Sequence, residues 1–458
     1  MLVTAPSLQD RFAGHMGQLL GPDFPADIAL AVSGGGDSMA MLYLAHNWAH
    51  VFGVRLWVVT IDHGLRSESA AEAAMVAAEC AAMGHPHATL RWHWDGTGNL
   101  QDAARTARLE LIDRWRQGIG HVLFAHTRDD VAETFLMRLA RGSGVEGLSA
   151  MASARKVTPH FWARPGIAPA DITAADLPPA SGAGARGDGF GFRLVRPLLQ
   201  ETRADLRHYL TTLGGKWVDD PSNDDLRFDR VQARHAMAAL TPLGLTADRL
   251  ADTASRLARS RDALAARARD VAARVVQEGT AHGIATGQLL FARDGFAGVE
   301  RDTQLRLLAA ALQWVANAPY RPRATALEAL LDRLLSGGGG TLHGCEVRAE
   351  RDHLRVFREF GALAGVISVV GQDAAWDMAW SVSGPDIAGL AIRALGTDGW
   401  AQIPEKPADA PPFHAARSLP AVFDGDRLIA CRALGFGPAH VVSFCPRGGR
   451  FAASGFSH

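Results

Sequence analysis

The chain has 458 residues, a length that indicates two or three domains rather than one small module. Hydrophobic residues make up 48% of it and charged residues 21%, which excludes a globally disordered or fibrous protein. The formal net charge of −1 excludes a uniformly basic surface, so contact with a nucleic acid would need a locally basic face.

The spacing of the cysteines indicates a reducing compartment, and the N-terminal segment does not resemble a secretory signal. The cysteines lie far apart and form no Cys-x-x-Cys pair; they are Cys80, Cys345, Cys431 and Cys445. The first twenty residues lack a basic stretch followed by an apolar one, and no apolar run is long enough to cross a membrane. We therefore expect a soluble, cytoplasmic protein.

The first third of the chain alternates short apolar runs with amphipathic stretches. The predicted strands are residues 27–32, 56–61, 88–94 and 122–125. The predicted helices are residues 38–50, 67–83, 101–115 and 131–141. This alternation predicts a doubly wound α/β domain, in which helices cover both faces of a parallel sheet.

The remainder of the chain shows a different organisation. Residues 164–191 are dominated by Pro, Gly and Ala and predict a mobile insertion. Helices are predicted over residues 197–213, 246–277, 304–317 and 323–335, and β-like segments over residues 341–359 and 419–436. With soft boundaries near 240 and 360, we predict a helical domain and a small C-terminal α+β region after the α/β domain.

A glycine-rich turn directly follows the first predicted strand. Its residues are Ser33, Gly34, Gly35, Gly36, Asp37 and Ser38. Glycines let the backbone approach a phosphate, and the N-terminus of the following helix adds N–H donors and partial positive charge. No Walker motif with its lysine is present, so a metal or arginines must neutralise the phosphate charge. We predict a phosphate site with Asp37 as a Mg²⁺ ligand; the alternative is a plain turn capped by Ser33 or Asp37.

A second polar turn follows the fourth predicted strand and contains His126, Asp129 and Asp130. Because the carboxyl ends of parallel strands share one edge of the sheet, we expect this turn and the glycine turn to meet across a ligand crevice. Asp129 or Asp130 is expected to share Mg²⁺ with Asp37 while the other caps the next helix. In the alternative, both cap that helix. The second strand ends in Asp62 and His63, where such folds place the adenosine.

Six ordered segments carry a resemblance to a known family. They are residues 33–38, 62–66, 99–108, 126–134, 141–147 and 217–223. This set resembles the tRNA(Ile)-lysidine synthetase family, within the PP-loop ATP pyrophosphatase superfamily. The glycine turn alone identifies only the superfamily, whereas the ordered set is specific for the lysidine family. Residues 341–359 and 419–435 resemble the C-terminal parts of that family more loosely.

The resemblance implies an enzyme that modifies RNA. It implies that ATP adenylates the carbonyl oxygen on carbon 2 of the wobble cytidine in isoleucine tRNA with a CAU anticodon, and that free L-lysine then displaces AMP. The implied cofactors are ATP and Mg²⁺, and a homodimer is left open. The implied domains are a PP-loop ATP-binding catalytic domain (1–240), a helical tRNA-contacting domain (241–360) and a small C-terminal domain (361–458).

The resemblance also implies roles for individual residues. ATP binding is implied for Ser33, Gly34, Gly35, Gly36, Asp37, Ser38, Asp62, His63 and His126. Catalysis and metal binding are implied for Asp37 and Asp130, and either carboxylate is expected to help remove a proton from the lysine amine. Contact with tRNA is implied for Arg105, Arg108, Arg230 and Arg234; a solvent-exposed helix face is the alternative for Arg105 and Arg108.

One segment departs from the family pattern. After residue 223 the family continues Phe-x-Arg-Asn-Arg-x-Arg, whereas this chain has Val231 and Gln232 in place of the Asn and the middle Arg. We expect the arginine-rich helix 246–277 to compensate by binding RNA phosphates, with exposed Arg/Asp pairs as the alternative. The rival functions are a PP-loop tRNA thiolase, which commonly needs paired cysteines, and a non-catalytic tRNA-binding relative.

Overall fold

A computed structural model of the chain describes residues 6–64, 68–94, 96, 98–157, 171–175, 177–178, 191–219, 227, 229–318, 320–371, 374–446 and 449–454. The chain divides into two compact units. The first unit comprises residues 1–159 and 164–261, and the second comprises residues 160–163 and 262–458. The three-domain division expected from the sequence stays a prediction.

A seven-stranded sheet forms the centre of the first unit. Its strands are β1 (Asp27–Ala31), β2 (Arg55–Asp62), β3 (His87–Arg91), β4 (His121–Phe124), β5 (Ala154–Val157), β6 (Ile172–Ala175) and β7 (Phe192–Val195). Their order is β5-β7-β4-β1-β2-β3-β6. Strands β7, β4, β1, β2 and β3 run parallel to one another, whereas the edge strands β5 and β6 run antiparallel to β7 and β3. The predicted parallel sheet is confirmed, with an antiparallel strand added at each edge.

The segment 164–191 does not behave as the sequence suggested where it is described. Residues 172–175 form strand β6, which pairs with β3, and Ile172 packs against the core beneath it. The Ala- and Pro-rich sequence has a low intrinsic preference for a strand, but pairing with β3 supplies backbone hydrogen bonds that stabilise one. The expectation of a mobile insertion is therefore wrong for these four residues, and most of the segment lies outside the described residues.

Helices cover both faces of the sheet. The helices that begin in this unit are α1 (Leu8–Leu20), α2 (Gly36–Phe52), α3 (Ser69–Ala82), α4 (Leu100–Trp115), α5 (Arg128–Ala140), α6 (Val145–Leu148), α7 (Arg203–Leu213), α8 (Asp229–Leu240) and α9 (Ala247–Val275). Along β1, Ile28 and Leu30 pack into the core that contains α2, while Ala29 faces the core that contains α4. Because successive side chains of a strand point to opposite faces, one apolar run serves two cores.

The start of α7 shows how local chemistry sets a boundary. The sequence predicts a helix from residue 197, but α7 begins at Arg203 because Thr202 is its N-cap and accepts a hydrogen bond from the Asp205 N–H. A threonine side chain that bonds to the third helical residue competes with continuation of the helix in the N-terminal direction. Arg203 is thereby the first helical residue and lies near the ends of β1 and β4.

The second unit contains a five-stranded antiparallel sheet and two smaller ones. The larger sheet has the order β10-β11-β12-β9-β8, from β8 (Val276–Ala281), β9 (Ile284–Ala292), β10 (Gly339–Leu342), β11 (Cys345–Ala349) and β12 (His353–Arg358). Its helices are α10 (Arg293–Ala297), α11 (Arg301–Val315) and α12 (Ala324–Leu335). Apolar residues of α11, α12 and this sheet form one core.

The rest of the second unit consists of short elements around separate cores. Its strands are β13 (Ser368–Val369), β14 (Ala374–Trp376), β15 (Trp380–Ser383), β16 (Ala391–Ala394), β17 (Pro420–Asp424), β18 (Arg427–Ala430) and β19 (Val441–Phe444). Its helices are α13 (Gly396–Ala401), α14 (Phe413–Ala416) and α15 (Phe451–Ser454). Among the described residues, no helix has both the length and the apolar character to cross a membrane.

Candidate active site

The glycine turn joins β1 to α2 and is held by its own serines. The Ser38 hydroxyl donates to the Gly35 carbonyl at 2.9 Å, and the Ser33 N–H donates to the Ser38 hydroxyl at 3.1 Å. Gly34 has a φ of +88°, which side chains rarely adopt. Gly35 is the N-cap of α2 and no side chain caps this helix end, so its first N–H groups can bind an anion.

The turn after β4 is built around a capping box. The Thr127 N–H donates to Asp130 Oδ2 at 2.8 Å, and the Thr127 hydroxyl accepts from the Asp130 N–H. Asp129 Oδ2 accepts the Arg203 N–H at 2.8 Å, so it caps the start of α7 instead of its own helix. Each aspartate therefore has a capping function, and Asp130 keeps its second oxygen for other partners.

Arg203 brings the two turns together. Its Nε lies 3.2 Å from Asp37 Oδ2, its Nη2 lies 3.5 Å from Asp130 Oδ1, and its Nη1 lies 3.1 Å from Glu133 Oε1. The carboxylates of Asp37 and Asp130 thus lie within reach of one guanidinium at the carboxyl edge of the sheet. The structure places the glycine turn and the acidic turn at one site, as the shared sheet edge predicts.

Two arginines of α8 also face this cluster. Arg234 Nε lies 2.6 Å from Glu133 Oε1, and Arg230 Nη1 lies 3.7 Å from Asp130 Oδ1. The Glu133 side chain is fully buried, with 0% exposure. Its negative charge has no access to water and is balanced by two arginines, Arg203 and Arg234. Arg230 and Arg234, which the sequence assigned to tRNA, lie directly beside the candidate catalytic carboxylates.

Charge and burial set the protonation of the cluster. Burial raises the pKa of Asp37, and the charge of Arg203 only partly offsets this effect. The pKa of Asp130 is lowered, because Arg230 and Arg203 outweigh the effect of burial. Burial opposes the charge of Arg203, but Glu133, Asp130 and Asp37 together raise its pKa. The two candidate catalytic aspartates therefore differ in basicity, and Asp37 is the stronger base.

The predicted adenosine residues close β2. Asp62 Oδ1 accepts hydrogen bonds from the Gly64 N–H at 2.9 Å and the Ser69 hydroxyl at 2.7 Å, so it holds the turn that leads into α3. The ring of His63 meets Trp92 edge-on at 5.6 Å between centroids. Burial and the charge of Arg108 lower the pKa of His63, which keeps this ring neutral. Residues 65–66 of this motif lie outside the described residues.

His126 follows β4 and is stacked on Phe124, with 6.2 Å between the ring centroids. Arg196 Nε donates to His126 Nδ1 at 3.3 Å. Burial, assisted by the charge of Arg196, lowers the pKa of His126. An imidazole that accepts a hydrogen bond from a cation is neutral, so His126 adds no positive charge to the site.

Sequence reasoning missed three of the residues that shape this site: Arg203, Glu133 and Arg196. Glu133 had a local signal, since it lies three residues after Asp130 and therefore shares a helix face with it. Arg203 and Arg196 had none, because their partners are far away along the chain. Residues 220–223 and Phe228, which belong to the tRNA-associated motifs, lie outside the described residues.

Known proteins are similar to this chain over most of its length. Residues 8–240 match the PP-loop domain family. The tRNA(Ile)-lysidine synthase of Ruegeria pomeroyi is 38% identical over 413 residues, which cover 89% of this chain and 88% of that protein. The chain belongs to the tRNA(Ile)-lysidine synthase family. A family member from Bradyrhizobium sp. is 37% identical over 76% of this chain and 88% of its own length.

Membership of the lysidine synthase family implies the use of ATP, as expected for a PP-loop ligase. Among solved structures, a U34-tRNA thiolase from Methanococcus maripaludis covers 54% of this chain and 78% of its own, with 15% identity and a TM-score of 0.41.

The cysteines do not favour the thiolase alternative. Cys80, Cys345 and Cys431 are buried, and all four cysteines are free. Burial raises the pKa of each of these three thiols to about 12, so they are not available as thiolates. This lysidine synthase family member therefore lacks the paired, reactive cysteines that sulfur transfer commonly requires.

Proposed function

We propose that this protein ligates free L-lysine to carbon 2 of the wobble cytidine in CAU-anticodon isoleucine tRNA, through an adenylated cytidine. The observation that carries the proposal is that the carboxylates of Asp37 and Asp130 both contact the Arg203 guanidinium beside the glycine turn. The chain also aligns with lysidine synthases over most of its length. A cytoplasmic location and a homodimer stay predictions.

The carboxylates fit a magnesium ion that binds together with ATP. Asp37 Oδ1 and Glu133 Oε2 are buried and accept no hydrogen bond from any described residue, so each carboxylate has an oxygen available to a cation. Among the described residues, no group of three acidic, histidine or cysteine side chains is arranged to hold a metal without help. Mg²⁺ typically uses one or two carboxylates and completes its shell with phosphate oxygens and water. We assign Asp37 and Asp130 as its ligands, and the ion would offset charge on the departing pyrophosphate.

The glycine turn supports the first step of the reaction. The cytidine oxygen attacks the α-phosphorus of ATP, and the bond to pyrophosphate breaks. The N–H groups at the start of α2 and the hydroxyl of Ser33 can donate hydrogen bonds to the phosphates as negative charge moves onto the leaving group, whereas the Ser38 hydroxyl donates to the Gly35 carbonyl and holds the turn. No protein nucleophile takes part in this step, because the RNA oxygen itself attacks.

The second step needs a neutral lysine amine. The amine attacks carbon 2 of the activated cytidine, and AMP leaves with the electrons of the bond to oxygen. Asp37 and Asp130 are the candidates to accept the amine proton. The raised pKa of Asp37 favours it over Asp130 for this role where it is not engaged with the metal.

The tRNA contacts rest on arginines of the first unit. Arg105 and Arg108 lie on α4, and Arg230 and Arg234 lie on α8. We propose that Arg230 remains available to RNA, because half of its side chain is exposed and its distance to Asp130 is 3.7 Å. Arg234 is more firmly held by Glu133, so its contribution to RNA binding is expected to be smaller.

One assay tests the proposed function. Purified protein is incubated with ATP, Mg²⁺, radiolabelled lysine and isoleucine tRNA with a CAU anticodon, and the label in the RNA is counted. We expect incorporation that depends on both ATP and the tRNA, and none with tRNA whose anticodon is changed to GAU. Incorporation of label from cysteine in place of lysine would support the thiolase alternative, and no incorporation of either would favour a binding protein.

A further inference from the structure

Four arginines without carboxylate partners gather beside the candidate active site. Arg105 and Arg108 come from α4, Arg155 lies in β5, and Arg196 directly follows β7. Strand β7 pairs with β4 on one side and with β5 on the other, so Val195 lies between Leu123 and Ala154. Among the described residues, no carboxylate lies within ion-pair distance of these four side chains.

Two of these guanidinium groups are enclosed. Arg196 is only 5% exposed, and its hydrogen bonds go to neutral acceptors, the Ala152 carbonyl at 2.7 Å and His126 Nδ1 at 3.3 Å. Arg108 lies over the ring of Phe124, 5.3 Å from its centroid, and its buried Nε has no hydrogen-bond partner within the described part of the chain. Cations in such surroundings cost free energy unless an anion joins them.

The lowered pKa values of Arg196 and Arg108 agree with a cluster of neighbouring positive charges. Burial lowers the pKa of Arg196 to about 9, and the charges of Arg155, Arg105 and Arg108 add to the effect. Burial likewise lowers the pKa of Arg108 to about 10, with Arg105 and Arg230 contributing. Each arginine therefore lies within electrostatic range of others of the same charge, and a dianion or a phosphodiester would lower the energy of all of them.

The position of the cluster indicates which substrate supplies the anion. The glycine turn follows β1 and the proposed adenosine residues follow β2, so ATP is assigned to that side of the crevice. Arg155 and Arg196 extend in the other direction, from β4 across β7 to β5. Arg108 lies between the two sides, over Phe124 of β4 and within electrostatic range of His63. A second substrate that carries its own phosphates fits the side of the crevice at β7 and β5. One guanidinium group can donate two hydrogen bonds to the oxygens of a single phosphate.

We propose that Arg108, Arg155 and Arg196 form a pocket for a backbone phosphate of the RNA strand next to the nucleotide that is modified. Arg155 and Arg196 thereby join the residues that recognise the RNA, and Arg196 links the bound phosphate to His126 at the edge of the active site. This inference rests on the proposed function, in which the substrate is an RNA. Binding of one phosphate here fixes the strand so that the adjacent base enters the crevice.

The test compares RNA binding by three variants. Arg155→Gln and Arg196→Gln are measured for affinity to a CAU-anticodon stem-loop RNA at several KCl concentrations, by fluorescence anisotropy. We expect affinity to fall about tenfold, as for loss of a charge-assisted hydrogen bond. The slope of log affinity against log salt should fall by about 0.7. The control is Arg55→Gln, whose exposed ion pair with Asp27 lies at the start of β2, on the opposite edge of the same sheet; its RNA binding should be unchanged.

The folding of each variant is checked by thermal denaturation. The side chain of Arg155 has no hydrogen bond or ion pair to lose among the described residues, so its variant carries the test if Arg196→Gln does not fold. The same variants are titrated with ATP and with inorganic pyrophosphate. Unchanged RNA affinity, or a loss confined to pyrophosphate or ATP, would overturn the inference, since the pocket would then be absent or belong to the other substrate.

The lysine ligation assay on the unaltered protein keeps this inference separate from the proposed function. Ligation by the unaltered protein together with unchanged RNA binding by the variants would contradict the phosphate pocket alone. Weakened RNA binding by the variants together with absent ligation by the unaltered protein would support the pocket and contradict the proposed ligase activity.

Discussion

At the level of single residues, Arg203 decides how the acidic side chains of the site coexist. Its guanidinium contacts Asp37 at the start of α2 and Asp130 and Glu133 on α5, while its own backbone N–H is capped by Asp129. One side chain therefore ties together the ends of three helices. Without Arg203, the negative charges of three carboxylates with little exposure to solvent would lie close together and repel one another.

We predict that Arg203→Gln destabilises the first unit by about 3 kcal/mol, because removal of one member of a buried ion pair leaves the other uncompensated. Urea denaturation measures the loss. The control is Arg207→Gln on the same helix, whose partner Asp219 is exposed; an exposed pair contributes less than about 1 kcal/mol. Equal losses in the two variants would show that Arg203 is not needed to balance the cluster.

His126 gives the site a dependence on pH. Its pKa in the folded protein is lowered by burial and by Arg196, whereas in the unfolded chain it is near 6.5. As the pH falls below about 6.5, the unfolded chain binds a proton that the folded protein does not, so stability is lost. Between pH 7 and pH 5, the free energy of unfolding of the native protein should fall by up to about 2 kcal/mol more than that of the His126→Gln variant.

The measurement for His126 is the free energy of unfolding at both pH values. The exposed His208 on α7 supplies the control, and His208→Gln should retain the full pH dependence of the native protein. The same slope in His126→Gln and in the native protein would contradict a buried, neutral imidazole at this position.

At the level of elements, strand β6 adds residues 172–175 of the segment 164–191 to the sheet. It covers the edge of β3, and Ile172 packs on the core that includes Trp115. Deletion of residues 168–188 should therefore lower the melting temperature by several degrees, because it removes one edge strand and exposes another. Calorimetry measures the change, and an unaltered melting temperature would restore the interpretation of this segment as a dispensable insertion.

The elements show what the sequence could and could not predict. The four parallel strands β1 to β4 were predicted to within a few residues, since each is a short apolar run between helices. Strands β5 and β7 were missed, because Ala154 to Val157 and Phe192 to Val195 carry arginine or lysine among their apolar residues. Gly279 in β8 and Gly287 in β9 interrupt the alternation that indicates a strand.

The site was predictable where it depends on the ends of strands. The glycine turn and the acidic turn follow neighbouring strands of a parallel sheet, so their meeting follows from the sheet order alone. Arg203 and Arg196 depend on where β7 and α7 return to the sheet, which no local periodicity specifies. The capping roles of Asp129 and Asp130 likewise required the position of α7 to be known.

At the level of the whole molecule, each of the two units has cores of its own. The cores around the seven-stranded sheet are formed by residues of the first unit, and the core of α11 and α12 by residues of the second. All residues assigned to ATP binding lie in the first unit, which also contains Arg105, Arg108, Arg155 and Arg196. We therefore propose that adenylation and recognition of the wobble nucleotide take place in the first unit.

The most direct test of this account is the release of AMP from ATP in the presence of Mg²⁺, lysine and CAU-anticodon tRNA. The native protein should release AMP only when the tRNA is present, and Asp37→Ala should release at least about 100-fold less, because the glycine turn then lacks its carboxylate for the metal. Asp23→Ala, an exposed aspartate before β1, should behave as the native protein does. Release of AMP by Asp37→Ala at a rate near that of the native protein would contradict the account.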